Sequence, residues 1–260
     1  MSDTLQLTVM NETKQYPRGT RFLDLARQYQ SFYEDDIVLM VMGNQLRELR
    51  KEILGDGKVE VVTVKDVAGR NTYRRSVALL MQKAYHNLFP MLDIEVQNSF
   101  GQGLYCKLRN GEKPTKELLD NLRDEMNKIV AEDWPIVKQS LHTDEAKELF
   151  GSFGMKDKER LFKYRLNSSV NVYSIGNYVD YYYGYMVPST GYLKVFDLVL
   201  YDDGFVLMFP GDDSKTCAPF EPSEKFFQIL KSSSEWGTQM GIPNIGALND
   251  EIAKGHMQDI

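Results

Sequence analysis

Cysteine and histidine are scarce in this chain of 260 residues: Cys106 and Cys217, with His86, His142 and His256, are all it has. The two cysteines stand far apart and form no CxxC, which excludes a cysteine zinc site and a disulfide-rich scaffold. Long apolar runs are missing too. No stretch approaches the roughly 18 residues of a membrane span, and the opening MSDTLQLTVM has neither the basic n-region nor the apolar core of a signal peptide. The expected setting is cytoplasmic, with reduced thiols and no membrane partner. There is no excess of positive charge: 31 Lys+Arg against 37 Asp+Glu leave a formal −6. A general nucleic-acid footprint is therefore absent, and any RNA contact has to be a local patch. What remains is ordinary globular composition, 42% apolar and 26% charged, which excludes a disordered chain. A chain of this length buries about 70–75% of its unfolded surface and needs no metal or disulfide staple.

The order of patterns points to an α+β fold class. Leu5, Leu7 and Val9 alternate with polar residues as a half-buried strand does, and 11–14 make a turn. Phe22, Leu23, Leu25 and Ala26 give a helix one apolar face, with Thr20 as its expected cap. Apolar runs at 37–42 and 59–64 close a small β-grasp unit over residues 1–65. Residues 66–72, polar with one glycine, read as a linker. Beyond them Val77, Leu80, Met81, Ala84 and Leu88 fall at helical spacing, and a second helix follows Thr115 with Leu118, Leu119, Leu122, Met126, Ile129 and Val130 on its apolar face. A third starts at Thr143 and is expected to stop at Gly151. From 171 to 208 the chain turns aromatic and β-rich, with strands expected at 192–195, 198–201 and 205–208. Residues 211–260 carry four Lys and eight Asp/Glu, a local −4, and read as an acidic connecting segment.

Several groups could carry chemistry. Lys156, Lys158, Arg160, Lys163 and Arg165 form the most basic stretch and could track a phosphate backbone; a solvated helix face is the plainer alternative. Tyr178, Tyr181, Tyr182, Tyr183, Tyr185 and Tyr192 could stack bases, or simply pack on strands with their hydroxyls at partners. Gly211-Asp212-Asp213-Ser214-Lys215-Thr216 lacks the glycines of a phosphate loop and places two aspartates where phosphate would sit, so it reads as a turn. Cys106 and His86 suggest a thiolate–imidazole pair only on paper, because no third group activates them.

Arg74-Arg75-Ser76-Val77-Ala78-Leu79-Leu80, followed by Tyr85-His86-Asn87-Leu88-Phe89-Pro90, resembles the RHSxAHLL…LFP helix of the editing domain (second additional domain) of threonyl- and alanyl-tRNA synthetases. Tyr16-Pro17-x-Gly19-Thr20 with Leu23-Asp24-Leu25-Ala26 is similar to the TGS domain that precedes it in threonyl-tRNA synthetase. Asn98–Tyr105 and Glu145–Phe150 look like two later segments of that domain. The resemblance covers about 5–210 and implies a TGS β-grasp at 1–65 and an editing-like α+β domain at 73–210. The family's HxxxH and CxxxH motifs supply metal or deacylation chemistry. Here their four positions hold Arg75, Leu79, Tyr182 and Met186, so the implied site is degenerate and no metal is expected. Those four residues either line a rebuilt binding pocket or fill it as plain core.

The stretches 180–191 and 204–210 further resemble the N-terminal half of TGS-containing uridine (nucleoside) kinases of the phosphoribulokinase/uridine kinase family. That resemblance implies a missing kinase domain, to which ATP and Mg would belong; no cofactor is expected for this chain, and no catalytic residue is assigned. Two functions follow. One is a non-catalytic, regulatory module that binds RNA or a small nucleotide- or amino-acid-like ligand beside a covalently linked kinase domain. The alternative is a divergent, metal-independent aminoacyl-tRNA deacylase.

Overall fold

A computed structural model describes residues 4–90, 92–152, 155–164 and 168–255, the side chains of 152, 156 and 157 excepted. The chain forms two compact units, Met1–Val137 with Ser174–Phe220, and Lys138–Tyr173 with Glu221–Ile260. The architecture is α+β.

The first unit opens with a hairpin of β1 (Thr4–Val9) and β2 (Glu12–Pro17). The turn sits at Met10–Asn11 rather than at 11–14, because Glu12, Thr13 and Lys14 already pair with Val9, Thr8 and Leu7; both loop residues take positive φ, 51° and 65°. A two-residue loop of that hand matches the right-handed twist of the strands. Helix α1 (Phe22–Tyr29) buries Phe22, Leu25, Ala26 and Tyr29, the i, i+3, i+4, i+7 stripe of an amphipathic helix. Its cap differs from expectation. Arg21 is the N-cap, its amide donating to Asp24 Oδ2 at 2.8 Å, while the Thr20 hydroxyl donates back to Pro17 O at 2.7 Å. Strands β3 (Ile37–Met42), β4 (Gln45–Glu48) and β5 (Gly57–Thr63) complete a five-stranded sheet of order β2-β1-β5-β3-β4. Strand β1 runs parallel to β5 and the other pairings are antiparallel. Leu5, Leu7, Val9, Phe22, Leu25, Ile37, Met40, Leu49, Ile53 and Val59 share its core. This is the β-grasp order expected from the sequence.

Residues 66–72 are not an irregular linker. Helix α2 runs from Val67 to Leu88, and Asp66 is its N-cap. The Asp66 carboxylate accepts from the Thr63 amide at 2.7 Å and the Thr63 hydroxyl at 3.1 Å, which turns the end of β5 directly into the helix. A Cβ on Gly69 would overlap the Thr63 carbonyl, so glycine lets the first helical turn lie against the strand end. The helix is also not one-faced: Thr72, Tyr73, Ser76, Val77, Ala78, Leu79, Leu80, Met81, Lys83, Ala84 and Tyr85 are all buried.

Strands β6 (Ile94–Phe100) and β7 (Gly103–Leu108) form a hairpin. Helix α3 (Lys116–Ala131) follows, with Thr115 Oγ1 accepting from the Leu118 amide at 3.1 Å as its cap. Strand β8 (Ile136–His142), helices α4 (Thr143–Ser152) and α5 (Lys156–Lys163) and strand β9 (Ser169–Ile175) come next; β8 and β9 are neighbours in a sheet. The chain continues through β10 (Tyr178–Tyr181), β11 (Asp197–Tyr201) and β12 (Gly204–Met208), and β6, β7, β11 and β12 form an antiparallel sheet of order β11-β12-β7-β6. The strand expected at 192–195 is absent: Thr190–Tyr192 is a 3-10 turn, closed by Leu193 N to Thr190 O at 2.9 Å. Helices α6 (Glu224–Gln239) and α7 (Ile245–Ala253) belong to the second unit. Among the described residues no helix is long and apolar enough to cross a membrane.

Candidate functional site

Helix α2 sets Arg75, Leu79 and Lys83 on one line, four residues apart, and the segment 180–191 lies over them. Arg75 Nε donates to Tyr185 O at 3.2 Å and Nη2 to Thr72 Oγ1 at 3.4 Å. Gly184, at φ 128°, lets the segment pass close to that guanidinium: a Cβ there would stand 2.6 Å from Arg75 Cζ. Ser76, 0% exposed, donates from Oγ to Thr72 O at 2.8 Å and accepts the Val187 amide at 3.0 Å, with Met186 Sδ at 3.3 Å. Two groups at the end of β4 and just beyond it hold the same segment. Glu48 Oε1 accepts the Met186 amide at 3.1 Å, and Arg50 Nε donates to Pro188 O at 2.6 Å. Thr190 is tied to Ile129 O and to both backbone groups of Trp134 at 2.8 Å each.

Of the four positions singled out in the sequence, Arg75 and Met186 are tied to the facing segment or helix through Tyr185 O and Ser76, and Leu79 and Met186 are packed away. Leu79 is 0% exposed and Met186 2%. Tyr182 is half-buried overall with its hydroxyl end enclosed; burial first, then the charge of Asp180, holds its phenol well above the usual range. The set does not fit zinc. A guanidinium, an isobutyl group and a protonated phenol offer no ligand at neutral pH, and a thioether alone is a weak one. Among the described residues no three of His, Cys, Asp and Glu are grouped to hold a metal ion.

Lys83 escaped the sequence reading although its spacing from Leu79 marks it. It is 7% exposed, its Nζ donates to Asn177 Oδ1 at 2.7 Å, and burial lowers its pKa from 10.5. The other polar groups nearby are quiet. Cys106 is wholly buried, its Sγ donating to Leu104 O at 3.4 Å and burial pushing the thiol up, while His86 packs on the Tyr178 ring with centroids 5.3 Å apart. Neither contact is a thiolate–imidazole pair.

Two cations of the basic stretch share one carboxylate within the second unit. Arg160 and Lys163 both face Asp250 of α7, at 3.8 and 3.3 Å, and Tyr164 Oη donates to the same carboxylate at 2.5 Å. Hydrogen bonding from Tyr164, then Lys163, holds the Asp250 carboxyl below its usual range. Lys158 Nζ lies 5.5 Å from the Phe150 ring centroid. Arg165 and the Lys156 side chain lie outside the described residues, as does His256. Nor do the tyrosines make a platform: Tyr178 is buried, Tyr181, Tyr182, Tyr185 and Tyr192 are half-buried, and Tyr183 alone of these six is open, at 82% exposure. The turn at 211–216 is a turn, with Asp213 accepting the Lys215 and Thr216 amides at 3.0 and 3.1 Å.

No protein-family model matches the chain. It is 30% identical over 195 residues to the threonine–tRNA ligase of Carboxydothermus hydrogenoformans, covering 73% of this chain and 30% of that protein. It is 30% identical over 201 residues to the ligase of Bacillus velezensis (76% and 31%), and 33% over 187 to that of Enterococcus faecalis (72% and 29%). Its homologues are threonine–tRNA ligases. The homology is to their N-terminal region, TGS and editing-like, and the chain spans about three tenths of the length of these curated relatives. These relatives lend no support to the expected kinase parent.

Proposed function

We propose that this chain is a non-catalytic recognition region built on the threonyl-tRNA synthetase N-terminal plan, which binds a tRNA-like RNA and whose hydrolytic pocket is filled by its own side chains. One observation carries the reading. Leu79 and Met186, at two of the four editing positions, are sealed in the core, and Ser76 closes the seam by accepting the Val187 amide. Ester hydrolysis needs a water or nucleophile activated beside the bond, and a packed pocket admits neither. The RNA partner is supported by the relatives, whose name couples threonine to tRNA. The finer reading, a regulatory module of a uridine or nucleoside kinase, rests on the resemblance at 180–191 and 204–210 alone.

The test is to incubate the protein with threonyl-, seryl- and alanyl-tRNA, with and without added zinc, and follow ester loss. Loss no faster than in buffer is expected, together with retention of uncharged tRNA that weakens as salt rises. Hydrolysis well above buffer sinks the reading. A metal-independent deacylase has one observation in its favour, the buried Lys83, since an amine of lowered pKa is a general-base candidate. Under that alternative K83M abolishes the hydrolysis while leaving the fold intact.

A further inference from the structure

Helix α2 carries a second cationic feature away from the closed pocket. Arg70 and Arg74 stand one turn apart, so their guanidiniums repel. Neither forms an ion pair among the described residues: Arg70 Nη1 donates to Lys65 O at 2.8 Å, and Arg74 Nη2 reaches Gln102 Oε1 at 3.5 Å. Half-buried Arg74 lies over the Phe209 ring, Cζ 5.5 Å from its centroid, which fixes the fork in place. Burial, then the charge of Arg70, lowers the Arg74 pKa.

Both arginines line a cleft whose opposite wall is the turn after β12, with Phe209, Pro210, Gly211, Asp212 and Ser214. The wall is pinned in place. Ser214 Oγ donates to Asp35, Lys215 pairs with Glu34, and Lys65 Nζ meets the same Asp35 at 3.0 Å. Lys65 is thereby neutralised, and Asp213 is turned into its own loop by the Lys215 and Thr216 amides. Two guanidinium charges against the carboxylate of Asp212 remain at the cleft. Its cavity volume is 20 Å³, above the roughly 10–15 Å³ that admits a water-sized group.

We propose that this cleft between α2 and the 209–214 turn is an oxyanion site, in which Arg70 and Arg74 hold a phosphoryl group. Paired guanidiniums present several N–H donors in a planar fork that matches phosphate oxygens. The enclosed part of the cleft admits a water-sized group, so a phosphoryl oxygen enters it while the rest of the ligand stays at the open mouth. A free phosphate ion and a phosphomonoester share this chemistry, and the site stands independently of the fate of the editing-like pocket.

The test follows the Arg side-chain N–H and the 65–74 and 209–214 backbone amides by NMR. The probes are inorganic phosphate, a nucleoside 5′-monophosphate and the matching nucleoside, against sodium chloride at equal ionic strength. Saturable shifts with phosphate and the monophosphate, but not with the nucleoside or chloride, are expected. Tighter binding of the monophosphate points to a phosphomonoester, and equal binding to the free ion. R70Q and R74Q should each weaken binding about tenfold or more, and D212N should tighten it; R70Q, on an exposed side chain, keeps the test valid where R74Q fails to fold. Shifts that merely track ionic strength, or that survive both substitutions in folded protein, overturn the proposal.

Discussion

Ser76 shows how much of the closed pocket hangs on one hydroxyl. Its Oγ gives its proton to Thr72 O and takes the Val187 amide at a fully buried position. S76A leaves that amide without an acceptor, at a cost of about 1–3 kcal/mol. Urea unfolding should show the midpoint falling at an unchanged slope; wild-type stability would contradict the packing. Lys83 makes a prediction of a different kind. Its folded-state pKa lies below 10.5, so between the two values the unfolded chain holds a proton that the folded chain has released. Stability from this group therefore rises with pH across that alkaline window. Tyr73 and Tyr178, their phenols held up by burial, act in the opposite direction above pH 10. The informative measurement is the difference between wild type and K83M: the rise should be present in the first and missing from the second.

At the scale of the element, α2 is both the best-read and the worst-read part of the chain. Its apolar spacing from Val77 to Leu88 fixed the helix, but seven residues, 66–72, passed for a linker. The reason is local: Gly69 and the polar Arg70, Asn71 and Thr72 imitate a loop, whereas the fold uses the glycine to let helix and strand touch. G69A forces a methyl into the Thr63 carbonyl and should destabilise by about 1–3 kcal/mol or more, as overpacking does. Thermal melting tests it, and an unchanged melt would mean the helix start is loose. The β3–β4 turn at Gly43-Asn44 and the strands β11 and β12 were legible from alternation and turn residues, whereas the first turn falls two residues from its expected place and the β6–β7 hairpin went unread. The 190–192 turn was not legible either, because Tyr192, Leu193 and Val195 have strand character and only tertiary ties from Thr190 to Ile129 and Trp134 hold the chain bent. At the candidate site the four substituted positions were legible only through the resemblance to the editing domain, whose motifs they replace. The burial of Leu79 and Met186 was not, since the 186–188 segment is held by Glu48 and Arg50 from more than 130 residues away.

Those two long-range ties set the behaviour of the first unit as a whole. Residues of the N-terminal sheet and of the 184–191 segment lie in one compact unit, and Glu48 to Met186 joins them in a buried setting. The expected outcome is shared cooperativity: amides of β5 and of 186–190 should exchange hydrogen with the same opening free energy, and E48A should lower both together. Selective loss at 186–190 would show the sheet to be independently stable. The burial of Cys106 has a practical consequence for the same question. Its sulfur sits in β7 between β6 and β12, wholly enclosed, with burial holding the thiol protonated. An alkylating reagent needs the exposed thiolate, so labelling must wait for that sheet to part. Half-buried Cys217, its thiol raised to about 11, is the nearer target and serves as an internal control. The chain thus carries its own stopwatch, in which the ratio of label on Cys106 to label on Cys217 times the opening of the β6-β7-β12 layer without any engineered probe.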